Sequence, residues 1–255
     1  WTSPTFPSKG AMDIRTEGLD HLADWLIQQK ITLYSSVPTV FSHFIDTLTG
    51  EEVFPELRLI KMMGEPVYKR HVDSFKKHFS ENCIFVNRLG STETGSIRWN
   101  LIDKQTPIAN NNVPVGYPVN DNEILLLDDD GKEVAHGEMG EISVRSRYLS
   151  PGYWHKPERT QAAFLPDPEG GDKRIYRTGD LGRMLPDGCL VHLGRKDFQV
   201  KIRGYRIELG EIETALLSHD NIKDAAAWVY EDQSGDKSLV GYLVPAGKQL
   251  PNVTE

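Results

Sequence analysis

The sequence predicts an α/β protein laid out in three stretches, and three observations carry that prediction. Up to about Trp99, short apolar runs alternate with segments of helical periodicity, the pattern of a parallel sheet with helices on both faces. From there to Leu193, short strands separated by turn clusters dominate, which predicts a small antiparallel β-rich subdomain. Beyond Arg195 the pattern is strand, turn, helix and two more strands, a piece too small to make a strong core alone. The length of 255 residues allows one large domain or two ordinary ones.

In chain order, the first dozen residues are rich in Pro, Ser and Thr and read as loop. Leu19, Leu22, Leu26 and Ile27 recur at helical spacing and predict a helix through 21–30. Residues 31–37 form a β-rich run closed by Pro38, and Val40, Phe41, Phe44, Ile45 and Leu48 give a second helical stripe. Residues 57–63 are an apolar run ending at Gly64-Glu65-Pro66. A helix over 68–79 puts Val72, Phe75 and Phe79 on one side and basic residues on the other, and 83–87 is another short buried strand. In the β-rich stretch, strands are expected at 123–127, 141–145, 174–177 and 189–193. Asp128-Asp129-Asp130-Gly131, Glu169-Gly170-Gly171-Asp172 and Pro186-Asp187-Gly188 supply turns between them. The last stretch predicts a strand at 199–202, a turn at Gly204, a helix at 211–217, and strands at 225–230 and 238–244.

Composition narrows the function classes. Lys and Arg number 29 against 37 Asp and Glu, so the formal charge is −8, which excludes the basic footprint of a nucleic-acid-binding protein. Hydrophobic residues make up 38% of the chain before its 22 glycines are counted, enough for a real core. Cys83 and Cys189 lie far apart in no paired-ligand spacing, which excludes a disulfide framework or a Cys-rich zinc site. Reduced thiols and a cytoplasmic location are the expectation. No apolar run approaches the ~18 residues of a spanning helix, so no membrane partner is expected. The start, Trp1-Thr2-Ser3-Pro4, has neither an initiator Met nor a signal-peptide pattern. The expectation is a piece of a longer protein.

Three segments carry chemistry. Asn87-Arg88-Leu89-Gly90-Ser91-Thr92-Glu93-Thr94-Gly95 follows a buried strand and so sits where open α/β sheets bind ligands. Gly90 allows close backbone approach, Thr92 offers a hydroxyl, and Glu93 offers a hard oxygen suited to magnesium. A polar strand-to-loop turn accounts for these letters equally well. In Tyr176-Arg177-Thr178-Gly179-Asp180-Leu181, a carboxylate after a tight Gly can accept two hydrogen bonds from a diol, or the run can be a surface turn. The third segment runs from Gly194-Arg195-Lys196-Asp197-Phe198-Gln199 through Glu213. Its alternation at 199–203 fits a strand with one face turned to solvent or to phosphates.

Together these segments, in this order and spacing, resemble the adenylate-forming (AMP-binding) superfamily of acyl-activating enzymes. The third is similar to a core motif of nonribosomal peptide synthetase adenylation domains. Gly137-Glu138-Met139-Gly140-Glu141-Ile142 followed by Leu149-Ser150-Pro151-Gly152-Tyr153-Trp154 is a fourth agreeing stretch. The resemblance covers roughly 20–244. It implies part of a doubly wound mixed sheet core over 1–113, a β-rich subdomain over 114–194, a hinge at 195–198 and a truncated α+β C-terminal subdomain over 199–255. It further implies conversion of a carboxylic or amino acid and ATP to an acyl-adenylate, then transfer to a phosphopantetheine thiol on a carrier protein. On that pattern Thr92 contacts the α-phosphate, Glu93 ligates magnesium, and Asp180 accepts the ribose hydroxyls. Arg195 lies against ribose and phosphate, Gly64-Glu65 flank adenine, Asp197 is the pivot, and Gly204 approaches the pantetheine channel. Ser35, Lys61, Met63, Arg88 and Ser96 are the substrate-pocket candidates.

The chain departs from the pattern in three places. Leu89 and Gly90 stand in the family's Asn-x-Tyr-Gly element, with Leu89 in place of the adenine-stacking aromatic. The phosphate loop Ser-Gly-Thr-Thr-Gly-x-Pro-Lys-Gly does not occur, and Ser8-Lys9-Gly10 is not that loop. Lys248 has none of the surroundings of the terminal lysine motif. The isolated chain is therefore expected to be inactive, with an acyl-coenzyme A ligase or a non-catalytic interaction module as the alternative readings.

Overall fold

The short apolar runs of the N-terminal stretch become parallel neighbours. In the computed structural model, which describes residues 12–119, 122–196, 199–202, 204–219, 221–232 and 237–247, the chain begins with α1 (Ile14–Glu17) and α2 (Leu22–Gln28). Then follow β1 (Leu33–Ser36), α3 (Pro38–Asp46), β2 (Leu59–Met62), α4 (Lys69–His78) and β3 (Ile84–Ser91). β1, β2 and β3 pair in parallel, with Leu33 opposite Leu59 and Leu59 opposite Ile84. Each predicted helix forms because its stripe is buried. Leu22, Ala23 and Leu26 of α2, Phe41 and Phe44 of α3, and Val72 and Phe75 of α4 all reach the core. Pro38 sits in the first turn of α3, where its missing N–H costs nothing. Aromatic rings fill the centre, with Phe54–Phe79 and Phe75–Phe85 centroids 5.1 and 5.4 Å apart.

The chain divides into two compact units, one of residues up to Asn87 with Asn100–Val113, the other of Arg88–Trp99 and everything from Pro114. β3 passes from the first unit into the second, turns through Thr92–Thr94 and returns as β4 (Gly95–Ile102). The sequence reading ended β3 at Asn87 and placed a loop there. The backbone instead stays extended to Ser91, because Gly90 lets the two arms come together. A Cβ at Gly90 would stand 2.1 Å from the Gly95 carbonyl oxygen, so no other residue fits without moving backbone. Gly90→Ala is expected to cost about 1–3 kcal/mol in urea unfolding, as overpacking does. A change within about 0.5 kcal/mol, the range of ordinary surface substitutions, would show that the hairpin relaxes freely.

The second unit continues with β5 (Tyr117–Pro118), β6 (Glu123–Leu127), β7 (Met139–Ser146), α5 (Pro157–Ala163), β8 (Phe164–Pro166), β9 (Arg174–Met184) and β10 (Leu190–Arg195). Its main sheet is antiparallel in the order β10-β9-β7-β6, with β8 alongside β9. Ile142, Val144, Tyr176 and Leu190 pack its core. Two irregularities interrupt the ladders. Between Glu141 and Ser143 of β7 the partners on β9 jump from Leu181 to Arg177, so Thr178, Gly179 and Asp180 bulge out. Gly179 supports the bulge with φ +74°, a conformation that side chains disfavour. On β10 a shift between His192 and Gly194 brings Arg195 directly opposite Asp180.

Beyond these strands lie β11 (Gln199–Ile202), β12 (Tyr205–Glu208), α6 (Leu209–Leu217), β13 (Ile222–Glu231) and β14 (Lys237–Pro245). β11–β12 and β13–β14 are separate two-stranded antiparallel sheets. α6 packs against β13, where Glu213 Oε1 accepts the Ala227 N–H at 2.9 Å. Cys83 and Cys189 are both buried and unpaired. No helix among the described residues is long and apolar enough to cross a membrane.

Candidate functional site

The bulge in β9 and the shift in β10 build one charged centre. Arg195 Nη1 donates to Asp180 Oδ1 at 2.7 Å and to the Thr178 carbonyl at 3.1 Å. His192 Nδ1 accepts the Gly194 N–H at 3.3 Å, so the ring proton sits on Nε2, which faces Asp180 Oδ1 at 3.5 Å. Asp180 is only 13% exposed, and that burial works against its ionisation. The hydrogen bond from His192 and the charges of Arg195 and Lys201 outweigh it and hold the carboxyl below its ordinary pKa.

A second set of contacts fixes the bulge from behind. Thr178 Oγ1 donates to the Ile142 carbonyl at 2.6 Å and accepts the Asp180 N–H at 3.0 Å. Glu141, 5% exposed, accepts the Gly179 N–H at 3.2 Å on one oxygen. On the other it accepts two N–H groups of Arg177. Lys196 lies 3.8 Å from that oxygen, and its N–H donates to the Gly179 carbonyl at 2.8 Å.

The β3–β4 hairpin faces the same cleft. This opening, of about 320 Å³, is lined by Leu89, Gly90, Thr94, Asp180, Arg195 and Lys201 among others. Thr92 is exposed at the hairpin tip and Glu93 is 7% exposed beside it. Tyr153 O–H donates to Glu93 Oε1 at 3.0 Å, so the Tyr176 hydroxyl, 3.3 Å from the Tyr153 oxygen, is the donor of that second contact. Ser150 N–H holds the Glu93 carbonyl at 2.8 Å. Tyr153→Phe is expected to lower stability by about 1–2 kcal/mol, since it takes a hydrogen bond from a buried carboxylate. Thermal unfolding that matches the unsubstituted chain would show that Glu93 does not depend on Tyr153.

The remaining expected site residues fall in three places. Arg88 and Ser96 face each other across the hairpin, with Arg88 Nε donating to Ser96 Oγ. Gly204 occupies the exposed turn between β11 and β12. In the first unit, Ser35 and Lys61 are register partners on β1 and β2, and Met63 and Gly64 follow β2. Glu65 Oε2 accepts the N–H and hydroxyl of Thr39 at 3.0 and 2.7 Å, capping the start of α3. Asp197, expected as the pivot, lies outside the described residues. Sequence reasoning assigned no role to Glu141, Tyr153, Tyr176, His192 or Lys201. Four of these five stand inside or next to the quoted motifs, and that proximity was the available signal.

The family model described as "AMP-binding enzyme" matches residues 10–154. The chain belongs to the AMP-binding enzyme family. Among curated relatives, it is 36% identical over 229 residues to tyrocidine synthase 2 of Brevibacillus parabrevis, covering 90% of this chain and 6% of that protein. Among solved structures, it is similar to holo-PA1221, an NRPS protein containing adenylation and PCP domains, bound to a vinylsulfonamide inhibitor. That match has a TM-score of 0.79 at 28% identity and covers 96% of this chain and 41% of that one. It is also similar to the Vibrio cholerae adenylation domain AlmE in complex with glycyl-adenosine-5'-phosphate, with a TM-score of 0.77 at 26% identity, covering 90% and 44%. This AMP-binding family member therefore spans a small part of its curated relatives and under half of these solved chains.

Proposed function

We propose that this chain is part of an adenylating enzyme. That enzyme activates an amino or carboxylic acid with ATP and hands the acyl group to a phosphopantetheine thiol on a carrier protein. The observation that carries the reading is the buried, ionised Asp180 at the cleft, held by Arg195 and His192 in a family member that matches AMP-binding enzymes. A fixed carboxylate can accept both hydroxyls of a ribose, and Arg195 beside it can meet the phosphate. The likeness to AlmE in its glycyl-adenosine-5'-phosphate complex supports an amino acid, and the likeness to a protein with adenylation and PCP domains supports a carrier partner.

Within this reading Thr92 meets the α-phosphate, Leu89 packs against the base, and Gly64 and Glu65 flank it. Ser35, Lys61, Met63, Arg88 and Ser96 select the acid, Asp197 is the pivot, and Gly204 approaches the pantetheine. The domain limits stay at 113, 194 and 198. Among the described residues no group of three His, Cys, Asp or Glu side chains is arranged to hold a metal. Magnesium commonly takes one or two carboxylates and completes its shell with substrate phosphates and water. Glu93 is the carboxylate that would hold it, and the ion would supply positive charge to the departing pyrophosphate. Acid-dependent ATP–pyrophosphate exchange by the full-length parent protein tests the proposal. Exchange that requires magnesium and Glu93 is expected. No exchange across a broad panel of amino and carboxylic acids would reject it.

A further inference from the structure

Arg159, on α5, belongs to none of the contacts the proposed reaction uses, yet it touches two things that matter. Its Nη2 donates to Glu208 Oε1 of β12 at 3.0 Å. Its guanidinium carbon also lies 5.1 Å from the centroid of the Tyr153 ring, a cation–π distance. Tyr153 is the residue whose hydroxyl donates to Glu93 Oε1 at 3.0 Å. A continuous row of side chains therefore runs from Glu208 through Arg159 and Tyr153 to Glu93.

The two ends of that row stand on different kinds of support. Glu93 sits in the β3–β4 hairpin, which the Ser150 N–H ties down. Glu208 sits in the segment of β11, β12, α6, β13 and β14, whose two small sheets share no ladder with β10-β9-β7-β6. Among the described residues no strand ladder joins that segment to the main sheet, and the Arg159–Glu208 ion pair ties the two. Arg159 and Glu208 are 50% and 33% exposed, so the pair is weak enough to open and close.

We propose that Arg159 is a positioning residue: while Glu208 is docked on it, Arg159 is held over Tyr153 and so steadies the Glu93 carboxylate. When the segment leaves, Arg159 is released and Tyr153 loses its cover. The position of the segment is thereby read at Glu93. This goes beyond the proposed reaction and needs no nucleotide, so its failure leaves that reading standing, and the reverse.

The test uses the whole chain with two readouts. Spin labels at Lys132→Cys and Ser218→Cys, both exposed positions in a chain whose native cysteines are buried, report the segment's distance from the main sheet. Labelled tyrosine reports the Tyr153 ring by its 13Cζ shift, assigned as the resonance missing from Tyr153→Phe. The expected result is one dominant distance at low salt. Glu208→Gln and Arg159→Gln should each lower the docked-to-undocked ratio by about two- to five-fold, the size of a partly exposed ion pair, and move the Tyr153 shift with it. The exchanged pair Arg159→Glu with Glu208→Arg should restore the distance but not the Tyr153 shift, because the cation then stands on β12. A distance distribution unchanged in both single variants would overturn the proposal. So would a Tyr153 shift that stays put while the segment undocks.

Discussion

Replacing Glu141 with Leu is expected to lower the unfolding free energy by about 3–5 kcal/mol, the cost of stripping one partner from a buried ion pair. Glu141 is 5% exposed and accepts from both the Arg177 guanidinium and the Gly179 N–H, with the Lys196 ammonium 3.8 Å away. Its loss leaves Arg177 half-covered without a counter-ion and the bulge N–H without an acceptor. Removing both ends of the pair is cheaper than removing one, because no uncompensated charge remains. The double variant Glu141→Leu with Arg177→Met should therefore lose less than the sum of the single losses. Chemical denaturation of the three variants measures this coupling. Strictly additive losses would show that the two side chains do not act as a pair. The same substitution frees Thr178–Asp180 from its anchor, so ligand binding at Asp180 should weaken alongside stability.

How much of this was readable in the letters differs element by element. The helical stripes at 22–28 and 69–78 and the short runs at 33–36 and 59–62 were plain, because each is dictated by what must be buried. In the second unit β6, β7, β10 and the first part of β9 were also legible, since turn residues bound them, whereas β5, β8 and the rest of β9 were not. β4 was not. It buries Arg98, whose Nη1 donates to the Gly188 carbonyl at 3.1 Å, and leaves Leu101 60% exposed, so its polarity runs against the usual alternation. α5 was missed as well, having no buried residue to give it a stripe.

At the site, Asp180, Arg195 and Glu93 could be picked out only by the order and spacing of whole motifs. What sequence could not supply was the means of placing them. The bulge of Thr178–Asp180 opposite Ile142 aims Asp180 at the cleft, and a bulge is invisible to a pattern of period two. Tyr153 reaches Glu93 across 60 positions, a pairing that only the folded chain reveals.

Calorimetric titration of AMP against the chain and its Asp180→Asn variant tests the central claim most directly. At neutral pH Asp180 is ionised, since its surroundings hold its pKa below the ordinary aspartate value. A depressed carboxyl pKa means that its contribution to folding is complete above that ordinary value and is lost as pH falls through the lower folded one. Neutral buffer therefore measures the ionised acceptor at full strength. The Asn side chain keeps the shape but exchanges a two-oxygen anionic acceptor for one carbonyl and an amide donor. The expected result is weak but measurable AMP binding, reduced about 10- to 100-fold by the substitution, the size of a charge-assisted contact. A 2'-deoxy nucleotide should bind the unsubstituted chain more weakly than AMP and should discriminate little between the two proteins. Equal AMP affinities for the chain and for Asp180→Asn would contradict the ribose role, and with it the nucleotide site built on the β9 bulge.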